Sequence, residues 1–195
     1  SNEEVYIQKA NIHSRRDEHK KAIILLEKAL DLTNDQTDVF SLIGMEYLFL
    51  EDFENAKYYF MRCLEADEGD FSALYNIIYC FEYLEQHEAA IDYLNEFLNN
   101  DPYCEVAWHQ VGKQYAIMKN FKKALAAFDF AIISDDRFIG AYLEKGKVLE
   151  KLLKYEEAIE SYTITLGLDD PTSFALLRIG KCYDKLGNKE MALQF

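Results

Sequence analysis

Apolar residues fall along this chain at spacings of three and four, and the stripes they form recur with a period of 34. Alanine stands at Ala22, Ala56, Ala90, Ala124, Ala158 and Ala192, each 34 residues from the last. A large apolar residue precedes each by sixteen positions, at Tyr6, Phe40, Leu74, Trp108, Tyr142 and Leu176, and another follows by four, at Leu26, Phe60, Leu94, Phe128 and Tyr162. A fixed period of this size predicts an array of small units that are stable only when stacked. Counted as 34 positions each, the units run 3–36, 37–70, 71–104, 105–138 and 139–172, with a sixth from 173 to Phe195.

Each unit reads as two short amphipathic helices. In the fourth, Val106, Trp108, Val111, Gly112, Tyr115, Ile117 and Met118 make one stripe; Lys119-Asn120 breaks it; Phe121, Ala124, Leu125, Ala127, Phe128 and Ala131 make the next. Spacings of three and four put each set on one helical face. A small residue recurs at Ala10, Gly44, Gly112, Gly146 and Gly180, where the paired helices would cross. Glycine inside a helix costs roughly 1 kcal/mol against alanine, so its recurrence predicts close packing there. Single helices of about 14 residues are marginal alone.

The pattern resembles the tetratricopeptide repeat family. Its pattern is large at position 4, apolar at 7, small at 8, aromatic at 11, alanine at 20, aromatic at 24, alanine at 27 and proline at 32. The fourth unit supplies Trp108, Val111, Gly112, Tyr115, Ala124, Phe128 and Ala131 and lacks only the proline. The third has Pro102 but carries Ile78 at the small position; the fifth departs at Leu149 and Thr165 with its proline displaced to Pro171; the first has His13 at the aromatic position. The resemblance implies an all-α fold: an α-solenoid of eleven or twelve helices, paired antiparallel and stacked in a right-handed superhelix. A single array over 1–195 is expected. The helical-hairpin family that binds single-stranded RNA has a similar period, but RNA binding needs a basic surface, and this chain has 35 acidic against 21 basic residues, a net charge of −14. No nucleic-acid partner is expected.

Half the residues are hydrophobic, with 14 Tyr and 13 Phe, enough for a continuous core. No apolar run approaches the ~20 residues that span a membrane, so no membrane partner is expected. Ser1-Asn2, with no initiator methionine, reads as the scar of a cleaved tag, and Phe195 falls inside a second helix; both point to a fragment of a longer protein. An unfinished sixth unit would leave Leu176, Ile179, Tyr183, Leu186 and Ala192 uncovered on one side, which favours homo-oligomerisation through that end. The four cysteines form no Cys-x-x-Cys. Cys80 and Cys182 share a repeat position three units apart, beyond disulfide reach, and Cys63 replaces a core alanine. Unpaired buried thiols are expected, which fits a reducing, cytoplasmic setting.

Candidate chemistry is sparse. His13, His19, His87 and His109 are scattered; His87-Glu88 lacks the second histidine of a helical zinc motif; the glycines form no phosphate loop. No enzyme, metal or cofactor is expected. Asp135-Asp136 and Asp169-Asp170 read as solvated turn residues that favour the next helix N-terminus. Glu46 falls within a packed stripe, where Cys80 and Val148 stand elsewhere, and is expected to find a hydrogen bond or an edge.

The resemblance further implies that positions 2, 5, 6, 9, 12 and 13 line a concave groove. Seven basic and six acidic residues occupy them, a net of +1, leaving −15 for the rest of the chain. In the second and third units they include Met45, Leu48, Phe49, Tyr75, Asn76, Tyr79 and Tyr83. Further on, Lys113, Lys147 and Lys181 hold position 9 of three consecutive units, with His109, Gln110 and Arg178 nearby. Aromatics that pack on one side and hydrogen-bond on the other suit peptide anchoring. The expected function is a non-enzymatic scaffold that binds a peptide or helical segment of another protein in this groove; an architectural or self-associating array, or a regulatory arm of a catalytic domain elsewhere, is the alternative. Chaperone-binding members hold a C-terminal carboxylate with lysine at position 5, but that position here reads Ile7, Ser41, Tyr75, His109, Leu143 and Leu177, so that clamp is disfavoured.

Overall fold

A computed structural model describes residues 2–67, 69–168 and 173–195. Ser1, the Asp169-Asp170 pair and Pro171 lie outside the described residues. The fold is all-α, with twelve helices and no strand among the described residues. The chain groups into two compact units, Ser1–Gln86 and His87–Phe195, and the division falls inside the third repeat.

The first unit holds α1 (Asn2–Ser14), α2 (His19–Leu30), α3 (Thr37–Phe49), α4 (Phe53–Ala66) and α5 (Phe71–Tyr83). The second holds α6 (His87–Asn100), α7 (Glu105–Ile117), α8 (Phe121–Ser134), α9 (Ile139–Lys151), α10 (Tyr155–Leu168), α11 (Ser173–Lys185) and the short α12 (Lys189–Ala192). Within each unit every helix packs on its neighbours in sequence, and α7 also touches α9. That is the neighbour-by-neighbour packing of a repeat stack.

The period-34 alanines explain the pairing. Ala22, Ala56, Ala90, Ala124 and Ala158 are each 0% exposed. In the second, fourth and fifth repeats position 8 meets position 24 across the helix pair. A Cβ on Gly44 would lie 2.9 Å from the Phe60 ring, on Gly112 2.4 Å from Phe128, and on Gly146 2.5 Å from Tyr162. Where position 8 is larger, at Ala10 and Ile78, position 24 is the smaller Leu26 or Leu94.

Each first helix ends in the same way. The residue at position 15 has positive φ in all six repeats: Asp17, Glu51, Glu85, Lys119, Leu153 and Gly187. Its N–H donates three residues back and the next N–H donates five back, as in Lys119 N to Ala116 O at 3.1 Å and Asn120 N to Tyr115 O at 2.8 Å. These paired bonds form a Schellman motif that satisfies carbonyls left open at the helix end. Asp52, Asn120 and Asn188 follow at position 16 and cap the second helix by accepting from Asn55, Lys123 and Met191 N–H.

All four cysteines are free and buried; burial pushes Cys63, Cys80 and Cys182 up to about 11, so they stay as thiols. At the end of the second unit, Ile179 is fully buried and Tyr183 stacks on Phe195 at 5.9 Å. No helix of the described residues is long and apolar enough to cross a membrane.

Candidate functional site

In the first unit the first-helix positions of α3 and α5 carry an aromatic surface. Capping of α5 by Asp70, which accepts from Ala73 N–H at 3.0 Å, sets its start. Three exposed tyrosines then follow at spacings of four: Tyr75, Tyr79 and Tyr83. Tyr79 and Tyr83 lie 4.7 Å apart, and Phe53, opening α4, stacks on Tyr83 at 4.5 Å and meets Tyr79 edge-on at 6.3 Å. A hydrogen bond with Tyr83 raises the Tyr79 phenol above its usual range, so it stays protonated at neutral pH. Asn76 is half-buried beside them, and Met45 and Phe49 are exposed on α3. Phe49 stacks on His19 at 5.0 Å, and His19 Nδ1 lies 2.8 Å from Glu46 Oε2. That bond explains how a carboxylate at 6% exposure fits the packed stripe.

In the second unit the expected cations are differently employed. Lys147 Nζ lies 2.6 Å from Glu144 and sits over the Phe174 ring at 5.1 Å. Arg178 approaches the same ring at 6.0 Å and is held bidentate by Glu150. Lys147, Arg178, Phe174, Glu144, Lys151, Val148 and Ala116 line a cleft of about 230 Å³. Lys113 donates to Gln110 Oε1 at 3.3 Å, and Lys181 is exposed on α11.

Two expected contact residues lie inward. Gln110 is 1% exposed, and His109 sits between Phe128 at 6.0 Å and Phe138 at 5.3 Å with both ring nitrogens buried. Burial foremost, then Lys113, lowers His109 to about 4. At the same position as Gln110, Leu42, Asn76, Glu144 and Arg178 are half-buried and Gln8 is exposed, so this position borders both the exposed face and the core.

Two aromatic residues belong to these surfaces that the groove reading did not single out. Phe174 stands at position 2, where only charges were counted. Phe53 stands at position 17, and the series His19, Phe53, Phe121 there is itself a signal. Residue 17 of one repeat covers residue 13 of the next, in His19 with Phe49, Phe53 with Tyr83, and Phe121 with Lys151 at 5.8 Å.

Two sequence profiles described as "Tetratricopeptide repeat" match the chain, one at 3–36 and 37–70, the other at 72–102 and 174–195. Anaphase-promoting complex subunit 3 of Schizosaccharomyces pombe is 23% identical over 95% of this chain, which spans 28% of that relative's length. Among solved structures, a tetratricopeptide repeat protein from Parabacteroides merdae is similar at a TM-score of 0.70, with 16% identity over 98% of this chain and 76% of the other. Pseudomonas aeruginosa pilF is similar at 0.67, with 18% identity over 98% and 87%. The profile matches begin at residue 3 and again at residue 37, in the register of the packed alanines, and the chain is a member of the tetratricopeptide repeat family.

Proposed function

We propose that this chain is a non-enzymatic scaffold that holds segments of other proteins against the first-helix faces of its repeats. The observation that carries the reading is the cluster of exposed Tyr79 and Tyr83 with half-buried Phe53 in the first unit, rings that already pack against one another. Such rings offer apolar area with little ordering entropy to lose on binding. The face around them carries Glu4, Asp38 and Glu82 against Arg15, whereas that of the second unit carries six cations against three carboxylates. The first unit therefore suits an apolar or aromatic anchor, and the second suits acidic groups. Exposed ion pairs contribute about 0–1 kcal/mol each, so the anchor supplies most of the affinity. The relative's name makes it a subunit of a complex; a place in a multi-protein assembly is the corresponding role for this chain.

The test uses peptides selected from a random display library on the intact protein. Tyr79→Ala with Tyr83→Ala should lower the affinity of apolar-anchored peptides tenfold or more. Lys113→Glu with Lys147→Glu should weaken acidic ones and flatten their salt dependence. Affinities that survive both changes but collapse on substitution of exposed second-helix residues such as Ile133→Ser would place the function on the opposite surface.

A further inference from the structure

We propose that the helix-end turns of the second unit form a second docking site, which takes an acidic, leucine-type segment of a partner protein. Met118, Leu152 and Leu186 stand at position 14 of three consecutive repeats, with Ile117 at position 13 and Leu153 at position 15 beside them, and all five are exposed. The turns are side by side: Lys151 reaches the Phe121 ring, Ala116 and Val148 line one cleft, and Leu149 packs with Ile179 and Cys182. Lys151 and Lys185, at position 13, mark the border with the first-helix face.

Leu153 carries the argument furthest. It is 70% exposed and has φ of 61°. Left-handed backbone disfavours a bulky side chain, and Leu153 is exposed next to Leu152, with Met118 and Leu186 exposed at the neighbouring turns, a grouping of apolar surface that singly scattered residues do not make. Gly187, at the same position of the next repeat, is the residue type that this backbone region favours. Neither the turn nor the core uses the Leu153 side chain, whereas a docked apolar segment would.

Charge selects the partner. Residues 117–125, 151–159 and 185–193 hold seven lysines and three glutamates, in a chain of net charge −14. The same turn of the second repeat, 49–57, holds three carboxylates and one lysine. The rim of the second unit is net basic over three consecutive turns and complements an acidic segment, by steering more than by pair strength. Adjacent first helices stack about 10 Å apart, so a helical ligand matches two turns with apolar residues seven apart at about 1.5 Å rise each.

The site differs from the first-helix face, and its test separates them. The probe is a glutamate-rich helical peptide with two leucines seven residues apart, titrated into the ¹⁵N-labelled intact protein. Amide shifts should centre on residues 117–119, 151–154 and 185–187. Leu153→Gly should raise the thermal midpoint yet weaken the peptide at least fivefold, which unfolding could not produce. Lys119→Glu with Lys154→Glu should abolish binding; glutamate is accommodated at that turn position in Glu51 and Glu85. Any of four results overturns the proposal: no binding at millimolar peptide, equal binding of a leucine-to-serine or lysine-rich peptide, shifts centred on Lys113 and Lys147, or unchanged affinity in Leu153→Gly. Co-sedimentation with phosphatidylserine vesicles that the peptide does not displace would assign the rim to lipid and overturn it as well.

Discussion

The guanidinium of Arg178 grips Glu150 with two bonds, Nε to Oε1 at 2.7 Å and Nη2 to Oε2 at 2.5 Å, joining α11 to α9 of the preceding repeat. The Tyr162 hydroxyl donates to the same Oε1 at 2.6 Å. Burial first, then this bond to Glu150, raises the Tyr162 phenol far above its ordinary range, so it donates at any physiological pH. A residue that reads as a ligand contact is therefore a repeat-to-repeat tie. Arg178→Met leaves a largely buried carboxylate with one donor and should cost about 1–3 kcal/mol. Urea unfolding should report it with no ligand present; an unchanged midpoint would remove the tie from the stability account.

The glycine contacts make a paired prediction. Gly112→Ala places a methyl 2.4 Å from the Phe128 ring. Overpacking of this kind costs about 1–3 kcal/mol, more than the roughly 1 kcal/mol that alanine gains in helix propensity. Phe128→Leu in the same chain should recover part of the loss, because Ala10 with Leu26 is such a pair. Thermal or urea unfolding of the two single variants and the double variant closes the cycle. Ala124→Leu, at a fully buried crossing, should cost about 1–3 kcal/mol on the same measurement.

The left-handed turn residues predict the opposite sign. Glu51 has φ of 57° and is exposed. Glu51→Gly should stabilise the first unit by up to about 1 kcal/mol, since glycine reaches this backbone region without the Cβ penalty but loses more chain entropy on folding. A fall in the unfolding midpoint would show that the Glu51 side chain contributes more than the strain it carries.

His109 gives a pH window. Its ring is lowered from 6.5 to about 4 by burial first and by Lys113, with Lys147 adding and Glu144 opposing. Between those values the unfolded chain binds a proton that the folded chain refuses, so stability falls as pH drops from about 6.5 to about 4. Above that window the group contributes no pH dependence. His109→Met should make the loss of stability between pH 7 and 5 smaller than in wild type, and the histidine C2 proton should titrate near pH 4. A midpoint near 6.5 would place the ring in water.

Much of the architecture is legible because packing imposes a strict register. Ala56 and Ala124 have no room for change, Gly112 none for a Cβ, and a crossing repeated every 34 residues leaves its mark in the letters. The exposed tyrosines were legible for the same reason, since helical spacing fixes which way Tyr75, Tyr79 and Tyr83 leave the backbone. Where long side chains end is not fixed by spacing. Lys147 bends to Glu144, Arg178 to Glu150 and Gln110 turns inward, though all three share the register of exposed neighbours. The Schellman turns were hidden in five repeats because the residue there is not glycine; hydrogen bonds across the helix end hold Asp17 or Leu153 in a conformation their side chains disfavour.

The fit of position 8 to position 24 also constrains how such a chain can change over generations. Starting from Gly146 beneath Tyr162, any enlargement of the first residue is harmful until the ring has shrunk, and shrinking the ring first opens a void. Either single step passes through a weakened protein, while the two together arrive at a combination already present as Ala10 with Leu26. Repeats should therefore drift in coupled pairs, and a survey of related arrays should find small-with-ring and large-with-leucine far more often than the mixed combinations.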